Sequence, residues 1–518
     1  MKPFVIGVVL LLLLLLLLIF YVPWVMLALL VLVGALVLAG VKRIPKNAPP
    51  APAGMLPWFG HMLSIGARAD VVYRNWWQQH GDIISVQLGD QLCVLVSSPA
   101  LHKEVYGKHG RSLLERPPLL VRELTFAVLG GAGVLWAARD EWRAHRAFVN
   151  NNMLSASKVL GFVPAVFEEA KKCVLGFERA SAVAPAHDVD VVPRLFQLAM
   201  NALSVVALGR RLFDVDEGFG AETRRAVLTI FSTLGEPQLS DYVRVLRKIV
   251  PNPPSFVKCR EALTDISDIV DAEYATRAKL HASEKNPRCI VDDVFDLDSG
   301  DNKLTSKEAL RSIKELINAG GETTTAVMVW AMVAAAEEKA ETQRAIDELD
   351  RVAGDSEWIT PAHLADVPVF DAWLKETVRL WPLARVTVPR LTTEEVQIGG
   401  YTLPPNTMVL IHRQAIMMHP TFWREPSKFN LDRFLPGGEA HEAVDLQWAF
   451  VMFGAGPRAC PGSILAMWEV RLTIANLLRR FRIDYSPAFP FDFRTDTETK
   501  LTTQPKGGKL LMKLEKRI

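Results

Sequence analysis

Cysteine is scarce: the chain has 5 in 518 residues, at positions 93, 173, 259, 289 and 460. The number is odd, the spacing is wide and no Cys-x-x-Cys pair occurs, so a disulfide framework is not indicated. No Asn-x-Ser/Thr acceptor is present, which agrees with a catalytic body kept out of the secretory lumen. Charge of one sign is also lacking. Lys plus Arg total 59 against 57 for Asp plus Glu, a net of +2, so no bulk field argues for a nucleic-acid partner. A Gly-x-Gly-x-x-Gly run following a strand is missing too, so the chain carries no dinucleotide fingerprint of its own. Nothing in the interior reads as an interdomain linker, and one large domain is the simpler organisation.

Beyond Lys2 the first forty residues lack charge. From Pro3 to Val41 the run is uncharged and contains nine consecutive leucines, Leu10 to Leu18. That length suits one tilted membrane span or two short ones broken near Pro23. A cleaved signal peptide fits less well, because the apolar block is long and no small-residue cleavage site stands out. Lys42, Arg43 and Lys46 follow the run against Lys2 alone before it, which places the downstream body in the cytosol. Pro45, Pro49, Pro50, Pro52 and Pro57 then read as a semi-rigid spacer. The expected organisation is a membrane anchor over 1–44, a proline-rich hinge over 45–58 and a catalytic domain over 59–518.

The densest chemistry lies at Phe453-Gly454-Ala455-Gly456-Pro457-Arg458-Ala459-Cys460-Pro461-Gly462. Its glycines and prolines allow tight turns and close approach of backbone to a flat ligand. A helix is expected from Ser463 to Arg480, and a sulfur at its start is favoured as thiolate by free N–H groups and the dipole. Cys460 is therefore a candidate metal-bound thiolate, with Arg458 placed to pair with an acidic group on the same ligand. Taken alone, Cys460 reads more simply as a buried thiol in a turn.

The pattern Phe-x-x-Gly-x-Arg-x-Cys-x-Gly resembles the haem-binding signature of the cytochrome P-450 monooxygenases of microsomal type, with every position filled. The resemblance implies a mainly α fold with a small β region, and haem b with Cys460 as axial ligand. It also implies a thiolate that pushes electron density onto iron to favour O–O cleavage. Phe453 and Gly454 belong to the same cofactor-binding loop.

Other segments fall in the family's order over about residues 45 to 510. Trp142 and Arg146 lie four apart on one expected helix face, so an indole N–H and a guanidinium can converge on an anion. By resemblance they hold haem propionates; a basic surface helix with one buried tryptophan reads the same way. Thr305 and Glu308 form a capping box that opens a long helix. Within it stands Ala319-Gly320-Gly321-Glu322-Thr323-Thr324. Two glycines inside a helix cost about 1 kcal/mol each, so a purpose is expected: a groove for a small molecule, or close packing against a neighbour. Glu322 and Thr323 pair an acid with a hydroxyl, suited to proton relay, as in the family's oxygen-activation motif. Glu376 and Arg379 lie three apart, alone a surface bridge, and by resemblance a buried pair meeting Arg433. The family usually shows Pro-Glu where this chain has Leu431-Asp432. Arg390, after Pro389, is a third candidate propionate contact. Ile83 to Val96, turning at Gly89-Asp90, reads as a hairpin, as does Gly400 to Thr407.

The expected reaction inserts one oxygen atom of O2 into an apolar organic substrate, with Thr323 and Glu322 as catalytic residues. Electrons would come from an NADPH-dependent flavoprotein reductase of the endoplasmic reticulum membrane, with cytochrome b5 a second candidate donor. Arg143 and Arg471 are candidate steering charges for it. Two other classes stay open: a haem-thiolate isomerase or dehydratase acting on peroxides, and a non-enzymatic haem sensor. The intact Gly-Gly-Glu-Thr-Thr run argues against the first.

Overall fold

The computed structural model describes residues 44–517 except 67–68, 185–186, 213–218, 236–238, 250–252, 281–288, 296, 298–302 and 494, plus scattered positions between 21 and 35. Most of the expected anchor therefore lies outside the described residues. The described positions there are helical, and Tyr21, Val25, Met26, Val31 and Leu32 leave their side chains exposed.

The body is mainly helical with four small sheets among the described residues. Six helices position the site: α1 (Arg139–Phe148), α2 (Ala156–Val183), α3 (Val191–Leu208), α4 (Ser306–Glu337), α5 (Pro368–Leu380) and α6 (Ser463–Arg480). α4 is the axis. The Thr305 hydroxyl accepts from the Glu308 N–H, and the Glu308 carboxylate accepts in return from the Thr305 N–H at 2.9 Å, the expected capping box. Its second half, Thr324 to Ala336, is buried throughout, which places it inside the protein rather than on it. α3, α5 and α6 all pack against α4. α3 is apolar and long enough to cross a bilayer, yet it is buried in the body, so it is a core helix.

The largest sheet has four strands, β1 (Ile83–Leu88), β2 (Gln91–Val96), β3 (Arg390–Leu391) and β4 (Met408–Ile411), in the order β1-β2-β4-β3. β1 and β2 form the expected hairpin, Leu88 facing Gln91 across Gly89-Asp90. β2 runs parallel to β4, and Arg390 pairs with Val409. The second hairpin is displaced from its expected position. Val396–Ile398 pairs with Tyr401–Leu403, and the turn is Gly399-Gly400, both at positive φ, while Pro404 to Thr407 turns the chain into β4. The glycine pair supplies the left-handed conformations that the prolines cannot.

Candidate active site

The loop from Phe453 to Gly462 enters α6 as expected. Gly454 and Gly456 take φ of 73° and 71°, conformations that side chains rarely adopt. A β-carbon on Gly456 would press on the Tyr106 ring at 3.0 Å, whereas one on Gly454 would meet open space. The Cys460 N–H donates to the Phe453 carbonyl at 2.8 Å, and Arg146 Nη1 donates to the Ala459 carbonyl at 2.7 Å, fixing the residues on either side of the sulfur's peptide.

Opposing influences meet at the sulfur. Cys460 lines a cavity and is open to it, yet the protein atoms crowded around its sulfur push the thiol above its ordinary range. The Gly462 N–H and the charges of Arg146 and Arg413 pull it down without prevailing. In the protein's own field burial outweighs the helix terminus, and a metal at the sulfur would add charge that favours the thiolate.

The cavity has a volume of about 310 Å³. Five arginines line it: Arg116, Arg146, Arg390, Arg413 and Arg458. They form a buried cationic cluster. Arg458 is held below the arginine range, at about 9, by burial first and by Arg390 second. Arg413 is lowered to about 10 by burial, although Cys460 opposes the shift. Arg458 Nη1 donates to the Leu135 carbonyl at 3.1 Å and Nη2 to that of Ala137, while the guanidinium lies 4.8 Å from the Trp142 ring centroid. The Nε groups of Arg390, Arg413 and Arg458, and Nη1 of Arg390, find no hydrogen-bond partner among the described residues. Buried N–H groups of this kind are costly unless a ligand meets them.

On the other wall stand Ala319, Gly320, Thr323 and Thr324 of α4. Glu322 does not line the cavity. Its carboxyl is buried and accepts from the Thr502 hydroxyl at 3.5 Å, and Thr502 does reach the cavity. Burial pushes Glu322 up to about 7, with Arg224 and then Thr502 opposing. Thr323 donates to the Ala319 carbonyl one turn back, at 2.8 Å, so acid and alcohol are neighbours in sequence without a mutual bond. The glycines serve packing more than a groove: a β-carbon at Gly320 would meet Leu203 Cδ2 at 2.7 Å, and one at Gly321 would overlap the Met200 sulfur, both on α3. Gly320 alone of the two also borders the cavity.

Glu376, Arg379 and Arg433 come together in full burial away from the cavity. Glu376 accepts from Arg379 at 2.6 and 2.8 Å and from Arg433 at 3.1 Å. Arg379 goes on to the carbonyls of Met417 and Pro426, and Arg433 to that of Glu425, so three segments are tied to α5. Of the two steering charges expected on the cysteine face, Arg471 is engaged by Asp371 at 2.8 Å and Arg143 pairs with Asp140 at the surface.

Sequence reasoning missed Arg116, Arg413, Thr502, Glu315 and Glu469, all in the cavity wall. Burial alone pushes Glu469 well above the carboxylate range. None of the five stands in a motif.

The family model for cytochrome P-450 matches residues 49–512. The chain belongs to the cytochrome P-450 family. Geraniol 8-hydroxylase of Swertia mussotii is 26% identical over 448 residues, 85% of this chain and 88% of that protein. A flavonoid 3'-monooxygenase of Oryza sativa subsp. japonica is 28% identical over 471 residues, 86% of each, and ferruginol synthase of Salvia miltiorrhiza is 25% identical over 445. The protein is thus a cytochrome P-450 monooxygenase, a haem enzyme acting on an organic substrate with a redox partner. Its residues fit the cofactor: orphaned guanidinium N–H groups suit an anionic macrocycle, a glycine with open space beside it admits a flat ring, and one thiol faces the same cavity.

Proposed function

We propose that this cytochrome P-450 hydroxylates or epoxidises an apolar organic substrate, using haem b bound through Cys460. When bound, the haem iron supplies dioxygen activation, one oxygen atom going to substrate and the other to water. The observation that carries the reading is the set of unpartnered N–H groups on Arg390, Arg413 and Arg458 around a cavity that Cys460 lines. Arg390, Arg458 and Arg146, with Trp142, hold the propionates; Arg116 and Arg413 add positive charge that favours a dianion. Phe453 and Gly454 lie along the ring. Thr323 presents its hydroxyl to the cavity, and Glu322 supplies protons through the Thr502 hydroxyl, near half-protonated at neutral pH. The Glu376–Arg379–Arg433 cluster braces the segment before the cysteine loop.

Leu203 and Ala207 of α3, Leu316 and Val327 of α4, and Val386 and Leu501 give part of the cavity an aliphatic lining, which suits an apolar substrate. Residues 1–44 anchor the protein in the endoplasmic reticulum membrane, 45–58 form the hinge and 59–518 the cytosolic catalytic domain. The exposed apolar side chains at Tyr21, Val25 and Leu32 support that placement. A membrane-bound NADPH-dependent flavoprotein reductase delivers the electrons, with cytochrome b5 as a second donor. The test is reconstitution with reductase, NADPH and isotopically labelled O2 across a panel of lipophilic substrates. One labelled oxygen per product is expected. Turnover of hydroperoxides alone, with no labelled product from any substrate, would overturn the reading in favour of an isomerase.

A further inference from the structure

We propose that Glu315 is a positioning residue for the haem, acting through the backbone of Leu135 on the guanidinia of Arg116 and Arg458. The inference rests on the haem reading given above. Glu315 stands on α4, two turns before Thr323, buried in the cavity wall. Both of its carboxylate oxygens are occupied by backbone: Oε1 accepts from the Gly133 N–H at 3.1 Å and Oε2 from the Leu135 N–H at 2.6 Å. One turn earlier on the same helix, Ser312 Oγ accepts from the Val134 N–H at 3.2 Å. Three successive N–H groups of an irregular segment are thereby held to one helix.

The other end of Leu135 faces the arginines. Its carbonyl accepts from Arg116 Nε at 3.0 Å and from Arg458 Nη1 at 3.1 Å. Leu135 is therefore clamped at its N–H by a carboxylate and at its C=O by two guanidinia of the cavity wall. A shift at Glu315 passes to both cations, because residue and guanidinia share no slack in so buried a site. Burial pushes Glu315 up to about 7, and in its ionised form it also attracts Arg116 and Arg458 against the repulsion of Arg390. Gly133 supports the same account independently: a β-carbon there would lie 2.6 Å from the Glu315 carboxylate and 2.9 Å from the Arg311 backbone. Only glycine lets this segment approach α4 closely enough for the bonds to form. Each oxygen of Glu315 is held by one backbone N–H, which ties the position of the two arginines to its own.

The test is the rate at which the purified holoprotein releases haem to an excess of apo-globin acceptor. Glu315→Gln keeps one acceptor oxygen, and Glu315→Leu keeps none. Release should quicken roughly tenfold in the Gln variant and further in Leu, the graded order marking the acceptor rather than bulk packing. Arg458→Gln should also speed release, and Glu315→Gln combined with it should add less than the product of the two, since both act through Leu135. If Arg458→Gln speeds release while Glu315→Gln leaves it at the wild-type rate, or if the two effects multiply fully, the positioning role falls and the haem reading stands. If Arg458→Gln and Arg390→Gln both release haem as wild type does, the arginine assignment itself fails. Should Glu315→Leu not fold, Gly133→Ala displaces the same segment from the other side and carries the same expectation and the same contradiction.

Discussion

Replacing Glu322 by Gln removes the acid that precedes Thr323 on α4, and the pH dependence of coupling reads the loss. Burial raises this carboxyl to about 7 against the pull of Arg224 and Thr502. An acid with that value is about half protonated at pH 7 and roughly one-tenth protonated at pH 8, a fivefold fall in donor, followed by about tenfold per further unit. The sign is fixed: the protonated form donates, so product formed per NADPH consumed should fall as pH rises through 7, with peroxide appearing instead. In Glu322→Gln the coupling should be low at every pH and the slope across 7 should vanish. The same raised value makes a stability statement, because the ionised form is the one that burial penalises. The stabilisation is complete below the ordinary carboxylate range and is lost as pH rises through about 7, and the Gln variant should lose that trend. Coupling followed by product and peroxide assay from pH 6 to 9 decides the matter. A Gln variant whose coupling keeps the wild-type level and slope would refute the relay.

Thr502→Val removes the hydroxyl that both carries the proton and lowers Glu322, so coupling should fall at every pH and the alkaline limb of what remains should move to higher pH; wild-type coupling with the limb in place would separate Thr502 from the relay. Glu376→Ala leaves the buried Arg379 without its counter-charge and Arg433 with Glu439 alone, a loss of about 3–5 kcal/mol that denaturant unfolding should register, whereas a change within the noise would mean that water or a rearranged carboxylate replaces it. Gly321→Ala drives a β-carbon into Met200 and should cost about 1–3 kcal/mol, more than Gly320→Ala, whose clash is with the end of the Leu203 side chain; equal melting temperatures would show that α3 yields freely.

What the sequence made legible is local. The Thr305–Glu308 capping box, the β1–β2 turn and the start of α6 depend on residues within a few positions of one another, and each stands where expected. Membership of the cytochrome P-450 family is similarly concentrated in one ten-residue loop. The arginine cluster was only partly legible, because Arg116, Arg390, Arg413 and Arg458 converge from four separate segments, and neither Arg116 nor Arg413 carries a motif. Glu315 was invisible for a related reason: its partners Gly133 and Leu135 lie some 180 residues earlier in the chain. At Cys460 the Gly462 N–H and nearby positive charge act in the expected direction, while the opposing burial is visible only in the packing. For Gly320-Gly321 both purposes were foreseen, but the choice between groove and packing depended on where α3 lay.

The central claim is that Cys460 supplies the sulfur that binds haem iron in this cavity. Its most direct test is the absorption spectrum of the reduced, carbon-monoxide-bound protein, taken for wild type and for Cys460→Ser at equal haem content. A strongly red-shifted Soret band in wild type that is absent from the Ser variant is the predicted result. The same band in both proteins, or in neither despite full haem loading, would contradict the assignment.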